Sequence, residues 1–301
     1  YDCHKKIDQK GSEDRYPADL LISWKMQHEQ RIEILTGIDP DRKSNVVLYG
    51  ANIGTERSPI NYHGCVEAMF PNWYPATEKP VTLSMVSELK DHSEQYWQAE
   101  SQHLTKRFQS KISSIIEEDS CKHFSLFALA PQPLLIKLGA LLTDKIDVET
   151  YQLHREPKGW FWQDCSDDFE YIINRPQNME GKPALVLSLS DHVSHERITR
   201  VIGPDTSIWE VTIKQPHNDF MQSKQQLSLF RKCIRKLIVE IKNTHGDATP
   251  LQIFPVMPVS CAVELGRARM PKADMPWLIY DHDIKTQQFV MAIELRGDLY
   301  E

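Results

Sequence analysis

Apolar positions along this chain fall into two periods, and the switches between them outline its elements. Leu21, Trp24, His28, Ile32 and Leu35 recur at helical spacing behind Pro17, which suits a first helical turn, and ahead of Gly37, a residue able to close a helix. From Asn45 short apolar runs alternate with amphipathic stretches. Val46–Ala51 reads as a buried strand followed by a polar loop, and residues 93–118 as a helix with Leu104, Phe108, Ile112 and Ile115 on one face. Phe124–Ala130 is a second strand, a helix starts near Leu134, and Val148–His154 is a third strand. The order then repeats. Ala184–Ser190 and Ser207–Ile213 read as strands, and a long helix carries Leu227, Phe230, Ile234, Leu237 and Ile241 on its stripe. Leu251–Met257, a further helix, and strands at Trp277–Asp281 and Gln287–Leu295 complete the pattern.

The repetition extends to residue identities. Laid over Leu251–Asp274 at an offset of 127 residues and without a gap, Phe124–Asp147 places Phe127 on Phe254, Pro131 on Pro258 and Leu138 on Leu265. It also places Gly139 on Gly266, Lys145 on Lys272 and Asp147 on Asp274. Ordinary composition gives about one or two such matches by chance. Duplication predicts two related lobes and a pseudo-symmetric crevice between them, which suits a ligand with two similar halves. Strands alternating with helices predict mainly parallel sheets, in which ligands bind beyond the carboxyl ends of the strands. That rule singles out the loops Asn52–Arg57, Pro131–Pro133, Ser190–His195 and Pro258–Ser260. The polar stretch Asn174–Lys182 marks the join, dividing the chain into a leading segment (1–38), a first half (39–177) and a second half (178–301).

Composition adds constraints. At 301 residues and 41% hydrophobic content the chain can bury an ample core, and no apolar run approaches the roughly 20 residues of a membrane span. Six cysteines without paired spacing fit a reducing cytoplasm better than a disulfide framework. A net charge of −7 argues against a broad surface tracking a nucleic-acid duplex, so an anionic ligand needs a local pocket of donors.

Val263–Asp281 (VELGRARMPKADMPWLIYD) resembles the SAVED domain, a fusion of two CARF-like Rossmannoid halves, and residues 127–142, 160–162, 187–191 and 216–220 are similar to other parts of that family. The resemblance implies an α/β fold of two fused halves that senses cyclic oligonucleotides in bacterial anti-phage (CBASS) signalling. Cys3-His4 followed by Ile7-Asp8 resembles the closing half of an HNH nuclease motif, in which the cysteine completes a structural zinc site and the histidine binds the catalytic metal. Together they imply an HNH–SAVED effector. In such an effector a cyclic dinucleotide such as cyclic GMP-AMP makes protomers self-associate, and the nuclease then degrades DNA. With the remaining ligands absent, this chain is expected to be the regulatory part, without cofactor or DNase activity of its own. Zinc and magnesium would belong to the HNH domain, and DNA would be met only through it. The expected setting is the bacterial cytoplasm, with no membrane partner. A ring nuclease that cleaves the messenger, or a ligand-free interaction module, is the alternative.

A cyclic dinucleotide needs cationic or amide donors for its phosphates and aromatic faces for its bases. Candidates for the first are Arg267 and Lys272, which could equally be surface charges or inter-half salt bridges. Loop candidates are Asn52, Gly54, Arg57, Pro131, Gln132, Ser190, His192, Pro258 and Ser260. Tyr74 beside Trp73, and Trp160 and Trp162, are candidate stacking platforms, whereas Trp209 reads as core. His217-Asn218-Asp219 is expected to cap the long helix. The basic residues Lys224, Arg231, Lys232, Arg235 and Lys236 are expected to form that helix's solvated face.

Overall fold

The computed structural model describes residues 2–7, 9, 11–12, 14–51, 60–84, 93–118, 121–163, 169–283, 285–297 and 299, with only the backbone of 2–4. Helix α1 (Asp2–Ile7) precedes α2 (Ala18–Thr36), which begins after Pro17 and ends at Gly37. Gly37 adopts a left-handed φ of 64° and its N–H returns to the Glu33 carbonyl, the closure glycine permits at least cost. No residue of α2 is buried.

The first lobe runs β1 (Lys43–Gly50), α3 (Tyr62–Met69), β2 (Tyr74–Pro75), β3 (Val81–Thr82) and α4 (Glu94–Phe108), then a π-helical turn (Gln109–Ser113) into α5 (Ser114–Glu118). It ends with β4 (His123–Leu129), α6 (Gln132–Leu142) and β5 (Asp147–Thr150). The second lobe runs β6 (Ile172–Asn174), β7 (Lys182–Ser188), α7 (His195–Ile202), β8 (Thr206–Thr212) and α8 (Lys224–His245), then β9 (Leu251–Val256), α9 (Val259–Arg267), β10 (Trp277–Asp283) and β11 (Gln288–Leu295). In the first sheet β1 pairs in parallel with β2, β3 and β4, and β4 with β5. The second has the order β11-β10-β9-β7-β8-β6, parallel at its centre with antiparallel β6 and β11 at its edges. The α/β reading therefore holds, with mixed edges. Although β6 precedes residue 178, it pairs with the second sheet.

The two lobes repeat one topology. β1 leads out to β2 and β3 on one side, and the chain then returns to β4 on the other; β7, β8 and β9 do the same. The strand order thus reverses between β1 and β4 and between β7 and β9, the positions where open α/β sheets leave a crevice. Apolar stripes lie as their periodicity requires: Leu104, Phe108 and Ile112 on one side, and Leu227, Phe230, Ile234, Leu237 and Ile241 on the other, enter one core shared by both lobes. Among the described residues no helix is long and apolar enough to cross a membrane.

The duplicated segment forms the seam. α6 and α9 cross at Gly139 and Gly266, the two glycines the offset superposes. A Cβ on Gly139 would meet the Val263 carbonyl and stand 2.9 Å from the Arg267 nitrogen; one on Gly266 would meet the Ile136 carbonyl and stand 2.8 Å from the Ala140 nitrogen. Ile136 and Val263, like Ala140 and Arg267, are themselves 127 residues apart. The contact is reciprocal, as a pseudo-two-fold axis demands, and only glycine allows the backbones so close.

Candidate functional site

Where β4 and β9 end, their chains turn at Pro131 and Pro258 into α6 and α9, so both helix N-termini open on the same side of the seam. A crevice of 410 Å³ lies there, lined by Leu129, Gln152, Leu153, His154, Arg155 and Lys158 of the first lobe and by Ser190, Asn218, Asp219, Met257, Pro258 and Val259 of the second. Helix N-termini carry partial positive charge and free amides, which favour anions.

The cationic wall is a turn. His154 and Gly159 exchange backbone hydrogen bonds of 2.8 and 3.4 Å, closing the loop that presents Arg155 and Lys158. Asp219 of the second lobe accepts from the Arg155 and Glu156 amides at 3.2 Å. One carboxylate therefore fixes the loop across the seam through its backbone, and both cationic side chains stay exposed at the mouth. His154 is buried and among the described residues its Nε2 has no hydrogen-bond partner; burial holds the ring below its ordinary pKa, opposed by the charge of Asp219. Two further contacts tie the lobes together. Gln132 Oε1 accepts from the Met257 amide at 3.2 Å, and Gln152 Oε1 accepts from the Ser260 amide at 3.2 Å and from its hydroxyl at 2.7 Å.

The sequence candidates divide accordingly. Ser190 and Pro258 line the crevice; Pro131, Gln132 and Ser260 stand directly behind it as helix starts and inter-lobe hydrogen bonds. His192 is exposed on the loop after β7. Asn52, Gly54 and Arg57 lie outside the described residues, as do the side chains of Cys3 and His4.

Five candidates sit elsewhere. Arg267, at the far end of α9, is one-tenth exposed and donates to the carbonyls of Thr143 (3.0 Å), Ile146 (2.9 Å) and Val148 (3.3 Å) and to Glu264 (3.2 Å). It is a clamp between lobes, with few donors left for a phosphate. Lys272 is exposed on the turn after α9. Trp160 is buried with its ring edge-on to Phe127, and Tyr74 donates to the Pro40 carbonyl, so neither offers a free face to the crevice. Trp162 is partly buried, lies edge-on to His154, and lines a separate 250 Å³ cavity with Trp73 and His123. Trp209 is core, as its strand position suggested, with Nε1 donating to His245.

One other expectation is corrected. α8 is capped by Ser223 in a reciprocal box with Gln226, not by His217–Asp219; that frees Asn218 and Asp219 for the crevice. The basic face of α8 is solvated as expected at Lys224, Arg231, Lys232 and Lys236, with Arg235 half-buried, and three of its cations are also paired: Lys224 with Glu149 (2.5 Å), Arg231 with Glu264 (3.7 Å) and Arg235 with Asp144 (2.8 Å). Sequence reasoning missed Arg155 and Lys158. The signal was the short basic turn HREPK (154–158) following the third strand of the first half. Among the described residues no cluster of three His, Cys, Asp or Glu side chains could hold a metal.

Solved structures share this architecture. Acinetobacter baumannii Cap4 SAVED/CARF-domain containing receptor, solved with the cyclic trinucleotide 2′3′3′-cAAA, matches over 89% of this chain and 54% of its own, with a TM-score of 0.53 and 13% identity. The same receptor with 3′3′3′-cAAA gives 0.53 at 15% identity over 86% and 52%, and a third structure of that receptor gives 0.51 at 12% over 86% and 50%. The chain thus spans about half the length of these receptors, and the likeness is one of fold. No curated protein matches the chain. The model of the SMODS-associated and fused to various effectors sensor domain matches residues 104–295, the later part of the first lobe, the second lobe and the seam between them, so the chain belongs to the SAVED family.

Proposed function

We propose that this chain is the sensor of a cyclic oligonucleotide, bound in the crevice between its two lobes. The observation that carries the reading is the crevice's construction. The N-terminus of α9, at Pro258 and Val259, lines the crevice opposite the exposed cations Arg155 and Lys158, the start of α6 is tied to it through Gln132, and Asp219 is already engaged by backbone amides. Such a wall favours a ligand carrying several phosphodiesters. The trinucleotides bound by the Cap4 receptors support the ligand class, and the paired lobes support a ring of similar units. Of the two ring sizes, the pseudo-two-fold favours a cyclic dinucleotide such as cyclic GMP-AMP.

In the same proposal the bound ring, touching both lobes, stabilises the lobe arrangement that self-associates. A ligand shifts such an equilibrium only by its differential affinity for the two states. The effector so controlled is an HNH nuclease degrading DNA, a reading supported by Cys3-His4 on the helical backbone of α1.

Isothermal titration calorimetry with cyclic GMP-AMP, 2′3′3′-cAAA and 3′3′3′-cAAA tests the sensor reading. Saturable binding of at least one ring is expected, weakened about tenfold or more by Arg155→Ala with Lys158→Ala, since each charge-assisted contact contributes about 1.5–3 kcal/mol. Flat titrations with all three, or affinity unchanged in the folded double variant, would overturn it. Sedimentation with and without the bound ring tests the association step, and a sedimentation coefficient unchanged at saturation would remove it.

A further inference from the structure

A second cavity, of 190 Å³, lies at the opposite end of α9 from the crevice. Val259, the first residue of that helix, lines the crevice, and Arg267, the last, lines this one. The two residues are eight helical steps apart, about 12 Å. The walls are Arg231 and Arg235 of α8, Arg267 and Glu264 of α9, Ala268, and Asp144 from the turn after α6. Three guanidinium groups thus face two carboxylates.

The carboxylates leave donors over. Glu264 is buried and engaged by the Thr150 hydroxyl at 2.8 Å and by Arg267 at 3.2 Å, so its 3.7 Å approach to Arg231 Nε is the weakest of its contacts. Asp144 meets Arg235 through Nη2 alone. Among the described residues the Nη groups of Arg231 and the Nε and Nη1 of Arg235 are left for an incoming acceptor. Arg231 and Arg235 are also one helical turn apart, a like-charge spacing that destabilises a helix unless an anion lies between them. Arg267 forms the floor, fixed by three backbone carbonyls and adding positive potential. The volume is that of about six waters at ~30 Å³ each. It lies below the roughly 300–1,000 Å³ of pockets that enclose whole ligands, so a single small anionic group is what fits. Planar guanidinium forks match the oxygens of phosphate.

We propose that this cavity is a phosphate-binding site, separate from the crevice, with Arg231 and Arg235 as the contacting residues. The phosphate is either a free ion or one unit of a nucleic-acid backbone. Calorimetry with inorganic phosphate and, separately, a short DNA duplex, at constant ionic strength, distinguishes the sources. Saturable binding of inorganic phosphate with a dissociation constant on the order of 1 mM assigns the free ion; saturation by the duplex alone assigns the backbone. In either arm Arg231→Ala with Arg235→Ala should weaken binding about tenfold or more, while Lys232→Ala with Lys236→Ala, which removes two neighbouring exposed charges, should leave it within about twofold. Asp144→Asn carries the test independently of the arginines, because releasing Arg235 should tighten binding up to about fivefold. Absence of saturation in both arms, equal losses in the arginine and lysine pairs, or an unchanged Asp144→Asn affinity would each overturn the proposal.

Discussion

Gly139→Ala puts the duplication argument to a test that needs no ligand. In an ordinary helix interior this substitution gains about 1 kcal/mol, since alanine is the better helix former. Here the new Cβ would lie 2.9 Å from the Arg267 nitrogen and against the Val263 carbonyl oxygen, both backbone atoms of the crossing helix. No side-chain rotamer relieves that overlap. α6 and α9 must separate, and every apolar contact they share with the common core loosens. Overpacking of this kind costs about 1–3 kcal/mol and sometimes more. With no flexible atom to yield, the upper end applies, so a net loss of about 2–3 kcal/mol is expected after the helix-forming gain. Gly64→Ala on α3 is the matched control, because among the described residues nothing lies within 4 Å of its added Cβ; it should be neutral or stabilising by up to about 1 kcal/mol. Urea unfolding of both variants beside the parent gives the difference directly. Gly139→Ala as stable as Gly64→Ala would refute the claim that the lobes meet by close backbone contact at the duplicated glycine. Gly266→Ala, the pseudo-symmetric partner, should lose a similar amount.

Arg267→Ala should destabilise the fold by about 3 kcal/mol, because it strips a buried carboxylate of its nearest cation and three carbonyls of their donor. Ligand affinity of the folded fraction should stay within about threefold, and a tenfold loss measured by calorimetry would return Arg267 to the ligand site. Lys137 is held down to about 8 by burial, with Nζ donating to Ser101 at 2.6 Å. Its folded pKa lies below the unfolded value. The cost of charging it is therefore fully present below pH 8 and relieved as pH rises toward 10.5, where the unfolded chain also loses the proton. The stability advantage of Lys137→Met over the parent should accordingly shrink by about 2–3 kcal/mol between pH 7 and 10.5. An advantage constant across that range in denaturant titrations would contradict the assignment.

The repeat was legible in the sequence because packing writes itself into period and spacing. The stripe from Leu227 to Ile241 could only face a core, and the match of Gly139 to Gly266 marked the axis itself. Short elements left weaker marks: α3, α7, β2, β3 and β6 are two to eight residues long and carry no sustained period. The crevice was legible only as a set of loops. Which side chain of a loop turns inward depends on tertiary hydrogen bonds, such as Asp219 reaching the Arg155 amide, and no local pattern records these. Arg267 shows the converse. Its place in the most family-like segment made it attractive for a phosphate, yet buried carbonyls and Glu264 were the stronger claim on its donors. Asn218 and Asp219 were assigned to a cap because they precede a helix. The Ser223–Gln226 box lies at the helix start itself and satisfies the Gln226 and Ser223 amides reciprocally.

Hydrogen–deuterium exchange on this chain, saturated with whichever of cyclic GMP-AMP, 2′3′3′-cAAA or 3′3′3′-cAAA it binds, tests the central claim most directly. The account predicts slowed exchange in residues 153–159 and 217–219 together with the starts of α6 and α9, and no change over the turn carrying Lys272. Protection confined to one lobe, or appearing only away from the crevice, would contradict it.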